Sequence, residues 1–224
     1  MDKKEILHTI QEARKSAKKR KFNQTLDLII NLKNLDFKKE TDRVNTYLVL
    51  PHELGKKIKV AALVGQELST KAKASCDHTV LQENFKTITK KEINKITADV
   101  DFFIAQANIM PQVASAFGKI LGPKGLMPNP KAGCVVAPTA DLKPVIERLQ
   151  KTVHPQTKNE PVIRVPLGIE TMKDEQLVDN AFFAINNLVS SLPQEKNNIK
   201  SIMIKLTMGK PAILAMKAET EAKK

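Results

Sequence analysis

The spacing of apolar residues predicts an α/β protein of two domains, in which a Rossmann-like βαβ domain is inserted into a discontinuous α+β domain of split βαβ-like form. Three observations carry this. The first and last thirds of the 224 residues pair amphipathic helices with strands that alternate in polarity. The middle third alternates short apolar strands with helices, as parallel strands joined by helical crossovers do. The pattern changes near Gly65 and near 154–158, which predicts 1–65 with 158–224 as one domain and 66–157 as the other. Two chain crossings side by side would then form a hinge.

In chain order, Ile6, Ile10, Ala13 and Ala17 repeat at helical spacing and predict a first helix whose last turns carry the basic run 14–21. Segment 25–33 alternates, with Leu26, Leu28, Ile30 and Leu32 on one side and Asp27, Asn31 and Lys33 on the other, which predicts a half-buried strand. A second strand is expected over 44–50, ended by Pro51. Residues 58–65 are a short apolar run closed by glycine. A helix over 67–75, a strand over 79–81, a helix over 89–97, an apolar strand over 101–105 and helices over 111–121 and 142–153 follow. The last third returns to alternation with a strand over 162–167. A strong amphipathic helix over 174–192 comes next, with Asp174 and Glu175 in its first turn where the helix dipole favours them. Strands over 199–207 and 211–217 then flank Met208-Gly209-Lys210, and the tail from Ala218 is expected to fray.

Composition narrows the function. Lys and Arg number 37 against 24 Asp and Glu, a net charge of +13, and 42% of the chain is hydrophobic, so this is not a disordered basic tail. No apolar run approaches the roughly 18 residues of a membrane span. Lys3, Lys4, Glu5 and Glu12 interrupt any secretory signal. Cys76 and Cys134 fit a reducing compartment, so a cytoplasmic protein with no membrane partner is expected. The basic surplus favours a polyanion, and an aromatic content of 4% is too low for wide base-stacking platforms. The charge is uneven. Residues 14–21 hold six bases in eight positions; one or two would suit a helix C-terminus, so the run reads either as phosphate-facing or as a solvated face. Residues 104–140 hold Lys119, Lys124 and Lys131 but no acid. The segment 66–157 has 12 bases and 8 acids, net +4, against +9 for the remainder, which assigns the main polyanion surface to the discontinuous domain.

Segment 118–133 has four Gly and three Pro in sixteen residues. It is not a P-loop, because Gly118-Lys119 is followed by Ile120 and its glycines follow a helix; nor does a Gly-x-Gly-x-x-Gly fingerprint follow a strand. A rigid, exposed loop presenting Lys124, Met127 and Lys131 as a secondary RNA-facing surface is expected. His8, His52, His78 and His154 are scattered without metal-ligand spacing, no Cys-x-x-Cys occurs and no serine sits in a nucleophile elbow, so no catalytic residue, metal or cofactor is assigned. Lys21-Phe22-Asn23-Gln24-Thr25 joins the basic run to the first strand; Phe22 either staples helix to sheet or forms a pad for ribose or base. Thr207-Met208-Gly209 combines a hydroxyl suited to a 2′-OH, a pliable apolar contact and a close backbone approach, or is a bare hairpin turn.

Taken together, Lys21-Phe22-Asn23-Gln24-Thr25, the segment from Ile120 to Lys131 and Thr207-Met208-Gly209 after Ser201 resemble, in order and spacing, the signatures of the ribosomal large-subunit protein L-one family, in its archaeal branch. The resemblance implies two α/β domains joined by a hinge and binding to large-subunit rRNA at the mobile stalk beside the tRNA exit site. It also implies transient contact with exit-site tRNA, a monomer outside the ribosome, and repression of the protein's own mRNA through a mimic of the rRNA site. The RNA contacts it implies are Lys21, Phe22, Thr25, Ser201, Thr207, Met208 and Gly209, with Arg164 as a weaker addition. Lys205 is added from its place on the strand leading to Thr207. Many members place Pro directly after the glycine; here Lys210 intervenes before Pro211. Two other readings are a nucleotide-dependent enzyme using the inserted domain and a nonribosomal RNA chaperone of the same fold.

Overall fold

The structure, a computed structural model, describes residues 2–35, 43–157 and 160–214. In chain order its elements are α1 (Lys3–Ser16), β1 (Thr25–Leu32), β2 (Leu48–Val49), β3 (Val60–Val64), α2 (Gln66–Ser75), β4 (His78–Leu81), α3 (Lys90–Asp99), β5 (Phe102–Gln106), α4 (Met110–Lys124), β6 (Val135–Val136), α5 (Leu142–Gln150), β7 (Thr152–Val153), β8 (Val162–Ile169), α6 (Asp174–Ser191), β9 (Ile199–Leu206) and β10 (Ala212–Leu214). The chain is α/β throughout, with one antiparallel and one parallel four-stranded sheet. No helix among the described residues is long and apolar enough to cross a membrane. The end of the strand expected over 211–217 and the expected fraying from Ala218 lie outside the described residues.

The chain divides into two compact units, Met1–Lys56 with Val153–Lys224, and Lys57–Thr152. The expected boundary at Gly65 therefore moves, because Val60–Val64 pairs in parallel with both β4 and β5 and belongs to the inserted sheet. Lys57 and Lys59 move with it, giving net charges of +6 for the insert and +7 for the discontinuous unit. Gross charge thus fails to separate the two units; only the local run 14–21 does.

In the discontinuous unit the strand order is β10-β9-β1-β8, all antiparallel. Strand β1 alternates as its sequence demands: Leu26, Leu28, Ile30 and Leu32 are buried and the intervening residues half-buried. The buried side meets Ile6, Ile10 and Ala13 of α1 and Leu177, Ala181, Ile185 and Leu188 of α6, all at most 2% exposed. Both helices lie on this face and leave the other open. Asn180, fully buried, donates from Nδ2 to the Leu167 carbonyl (2.8 Å) and accepts the His52 N–H (3.0 Å), so it fixes the 50–55 loop to the sheet. The strand expected over 44–50 is reduced to Leu48–Val49. The rest of the segment runs antiparallel to 153–157 in an irregular pairing: Val44 donates to Thr157 Oγ1 (2.9 Å) and accepts the Thr157 N–H (2.8 Å), Asn45 bridges Gln156, the Thr46 N–H donates to the Pro155 carbonyl (3.2 Å) and Tyr47 stacks on His154 at 4.1 Å; Pro155 has no N–H to return, so no regular ladder forms there.

The insert has the order β4-β3-β5-β6, all parallel. Every residue of β3 is buried, as a central parallel strand covered on both faces requires. Phe85 and Phe117 meet edge to face at 5.0 Å in its core. Helix α3 is capped by Thr89, whose hydroxyl accepts the Glu92 N–H while Glu92 reaches back to the Thr89 N–H (2.9 Å).

Candidate nucleic-acid interface

The basic run does not continue the first helix. Helix α1 ends at Ser16, and Ala17 is extended (φ −86°, ψ 135°). Beyond Ala17 its buried stripe would fall on Arg20 and Lys21, whose charged heads stay in water. Only Arg14 and Lys15 are therefore helical. Arg14 is structural: it pairs with Asp174 at 3.0 Å and donates to the Met172 carbonyl at 2.7 Å. Lys18, Lys19, Arg20 and Lys21 follow as an exposed irregular segment, and none of them is in an ion pair among the described residues.

This segment leads into the start of β1, where it meets the end of β9. The Thr207 hydroxyl donates to the Thr25 carbonyl and accepts the Thr25 N–H, each at 3.1 Å, while the Thr207 N–H donates to the same carbonyl at 3.0 Å. Met208 is 60% exposed and Phe22 53%, so neither is a core residue; an aromatic stapling helix to sheet would be buried. A Cβ on Gly209 would lie 3.3 Å from Leu206 Cβ and 3.5 Å from Ala17 Cβ, so this glycine lets the turn close on the end of α1. Exposed hydroxyl, thioether and aromatic groups thus stand beside four cations.

The open sheet face carries the other expected residues in register. Lys205 lies opposite Asp27, Ser201 opposite Asn31, and Arg164 opposite Ile29. Asn31 Nδ2 donates to Ser201 Oγ at 2.8 Å. Burial raises the Asp27 carboxyl above its ordinary value, with the Lys205 charge opposing. Arg164 pairs with Glu160 at 3.1 Å, an exposed contact that holds it weakly. The nine residues expected on the primary RNA surface therefore fall in the discontinuous unit, on its open face or where that face ends, while Lys124, Met127 and Lys131 of the secondary loop lie in the insert. Two contributors were not singled out from sequence. Asn31 was visible only as a polar position on β1, and Gln24 only as a letter in a motif.

The glycine-proline segment of the insert departs from the expected exposed loop. Its first half is helix: α4 runs through Pro123 to Lys124 and is closed by Gly125 (φ 70°), with the Leu126 N–H donating to the Leu121 carbonyl at 3.1 Å. Pro123 has no N–H for the Lys119 carbonyl, and the helix ends one residue after it. Met127 is half-buried against the core, and Lys124 Nζ donates to Thr97 Oγ1 at 2.6 Å. Lys131 is exposed, beside an Asn129 side chain that caps its N–H at 2.9 Å. Cys134 is buried and Cys76 half-buried, and burial pushes both thiols up to about 11.

A cleft of about 1240 Å³ opens at the carboxyl ends of β3, β4 and β5, the place where a nucleotide would sit in such a sheet. Its chemistry is wrong for phosphate. Gln106, 1% exposed, places Oε1 on the Gly65 N–H at 2.9 Å, occupying the donor at the start of α2. The lining includes Glu67 and Glu83 and no base. No group of three or more His, Cys, Asp or Glu that could hold a metal occurs among the described residues.

A sequence model of the Ribosomal protein L1p/L10e family matches residues 13–210. The chain is 40% identical over 214 residues to the large ribosomal subunit protein uL1 of Methanothermococcus thermolithotrophicus, covering 95% of this chain and 98% of that one. It is 41% identical to uL1 of Nanoarchaeum equitans, covering 91% and 96%. It is 37% identical to uL1 of Methanocaldococcus jannaschii over the whole of both chains. These matches set aside the enzyme reading, and the chain belongs to the Ribosomal protein L1p/L10e family as an archaeal-type member.

Proposed function

We propose that the chain is a constituent of the large ribosomal subunit that binds the subunit's rRNA, at the mobile stalk near the tRNA exit site, through its discontinuous unit. The observation that carries this is the grouping of Lys18–Lys21, exposed Phe22 and Met208, and the Thr25–Thr207 hydroxyl ladder on one region of that unit. The relatives' names support the ribosomal part of the reading. In this mechanism the four cations position phosphates, while Thr207, Ser201 and backbone groups engage ribose hydroxyls and base edges of a folded RNA. Phe22 and Met208 supply apolar contact, and Lys205 and Arg164 extend the surface along the open face. The same surface would bind a mimic of this RNA in the protein's own mRNA and repress its translation. Of the insert's Lys124, Met127 and Lys131, only Lys131 is exposed with its side chain uncommitted, so it is the group proposed to touch RNA or exit-site tRNA from that unit. Outside the ribosome the chain acts as a monomer.

The test is co-sedimentation with large subunits on sucrose gradients, joined to filter binding of a stalk rRNA fragment over a salt series. Neutralising about 4–6 phosphates gives a log–log slope of about −3 to −5. A chain that stays at the top of the gradient, or a complex indifferent to salt, would sink the reading.

A further inference from the structure

We propose that Gln24 is a positioning residue of this interface: it touches no RNA, and it locks the basic segment and the Thr207-Met208-Gly209 turn to one another before RNA arrives. The inference rests on the RNA-binding reading above and assigns a role inside it to a buried side chain.

Gln24 is 1% exposed, in a stretch whose neighbours Asn23 and Phe22 are open to solvent. Three segments meet on it. Its Oε1 accepts the Met208 N–H at 3.1 Å. Its Nε2 faces Glu170 Oε2 at 3.4 Å and the Lys18 carbonyl at 3.5 Å. Its own carbonyl accepts the Glu170 N–H at 2.8 Å. The turn, the basic segment and the start of the β8–α6 connection are thereby held by one amide.

The chemistry explains why an amide stands here. The position must accept from one main-chain donor and donate to two oxygens, and only a neutral amide does both in a buried site. A carboxylate would set acceptor against acceptor at Glu170 and Lys18. An asparagine is one methylene short of the same reach. A hydrocarbon would leave the Met208 N–H without its acceptor. The functional gain is pre-organisation: a turn and a cationic segment already fixed in the free chain lose less conformational freedom on binding.

The test uses the full chain and three variants: Gln24→Met, Gln24→Glu, and Gln24→Glu combined with Glu170→Gln. The last exchanges amide and acid across the 3.4 Å contact. Two quantities are read: hydrogen exchange at the Met208 amide in the free chain, and affinity for a stalk rRNA fragment over a salt series. Gln24→Met and, at neutral pH, Gln24→Glu should speed Met208 exchange and weaken specific binding about tenfold. The salt slope should stay unchanged, because no phosphate contact is lost. The exchanged pair should recover most of the affinity. Unchanged Met208 exchange in Gln24→Met, or an exchanged pair no better than Gln24→Glu, overturns the positioning role while leaving the RNA-binding reading intact. A wild-type chain that shows no preference for the stalk fragment over a scrambled RNA overturns the binding reading, and the interface role with it.

Discussion

Thr207→Val separates hydroxyl recognition from charge. Valine keeps the shape of threonine and removes one oxygen, which in the free chain bridges the Thr25 N–H and carbonyl at 3.1 Å each. Thr207 is exposed, so water replaces the lost partner there and the unfolding free energy should fall by less than about 1 kcal/mol. In the proposed RNA complex, contact with ribose would exclude water from this position, so both the Thr25 N–H and the facing ribose group would lose a partner. That costs about 1–3 kcal/mol, or roughly 5- to 150-fold in affinity. Since no charge is removed, a plot of log affinity against log salt should be displaced in parallel, with its slope intact. Filter binding across a salt series, with urea unfolding as the stability control, gives both quantities. Unchanged affinity would remove Thr207 from the interface, and a changed slope would show that the variant had disturbed the cations instead.

Four other substitutions probe different parts of the structure. Lys21→Ala should weaken all RNA binding and reduce the salt slope by roughly 0.9 in the same assay; Lys124→Ala should leave the slope alone, because that ammonium is held by Thr97 and Asn94. Gly168→Ala should destabilise by about 1–3 kcal/mol in urea unfolding, since Gly168 has φ 156° and an added Cβ would lie 2.8 Å from buried Leu177 and press on Met172; a neutral result would refute the packing described for the β8–α6 connection. Asp27→Asn tests the open face by pH. Burial raises the folded carboxyl above its ordinary value of 3.8, so the folded chain holds this proton more tightly than the unfolded chain does. The group's contribution therefore falls as pH rises from that ordinary value through the raised one and stays lost at neutral pH. Asp27→Asn should gain stability relative to wild type at neutral pH and lose that advantage in acid; the reverse order would mean that the Lys205 pairing outweighs burial.

Sequence revealed this fold wherever one face of an element is buried and the other is not. The alternation of 25–32 maps residue for residue onto β1, and the apolar 60–64 run onto a strand covered on both sides. It misled where local chemistry and tertiary contacts disagree. The bases after Ser16 resemble a helix end, yet beyond Ala17 the buried stripe would fall on Arg20 and Lys21, whose charged heads stay in water. Residues 44–50 are rich in strand formers and do pair with 152–157, but Pro155 has no N–H to give, so regular strand remains only at Leu48–Val49. Glycine and proline over 118–125 suggest a loop, although helix α4 runs on to Lys124, one residue past Pro123, before Gly125 closes it. Gln24 stayed hidden because its partners come from positions 18, 170 and 208, a convergence no local spacing encodes.

The position of β1 has a consequence for how the protein is made. Thr25–Leu32 is flanked on one side by Val162–Ile169 and on the other by Ile199–Leu206, and neither partner exists until most of the chain has been translated. The insert, whose strands all lie within Lys57–Thr152, can assemble first. A nascent or truncated chain therefore carries Lys18–Lys21 at the front without the strand that completes their surroundings. Only when the strand ending at Leu206 is laid against Thr25–Leu32 do Thr25 and Thr207 meet, so the discontinuous unit closes last, after synthesis has passed Leu206.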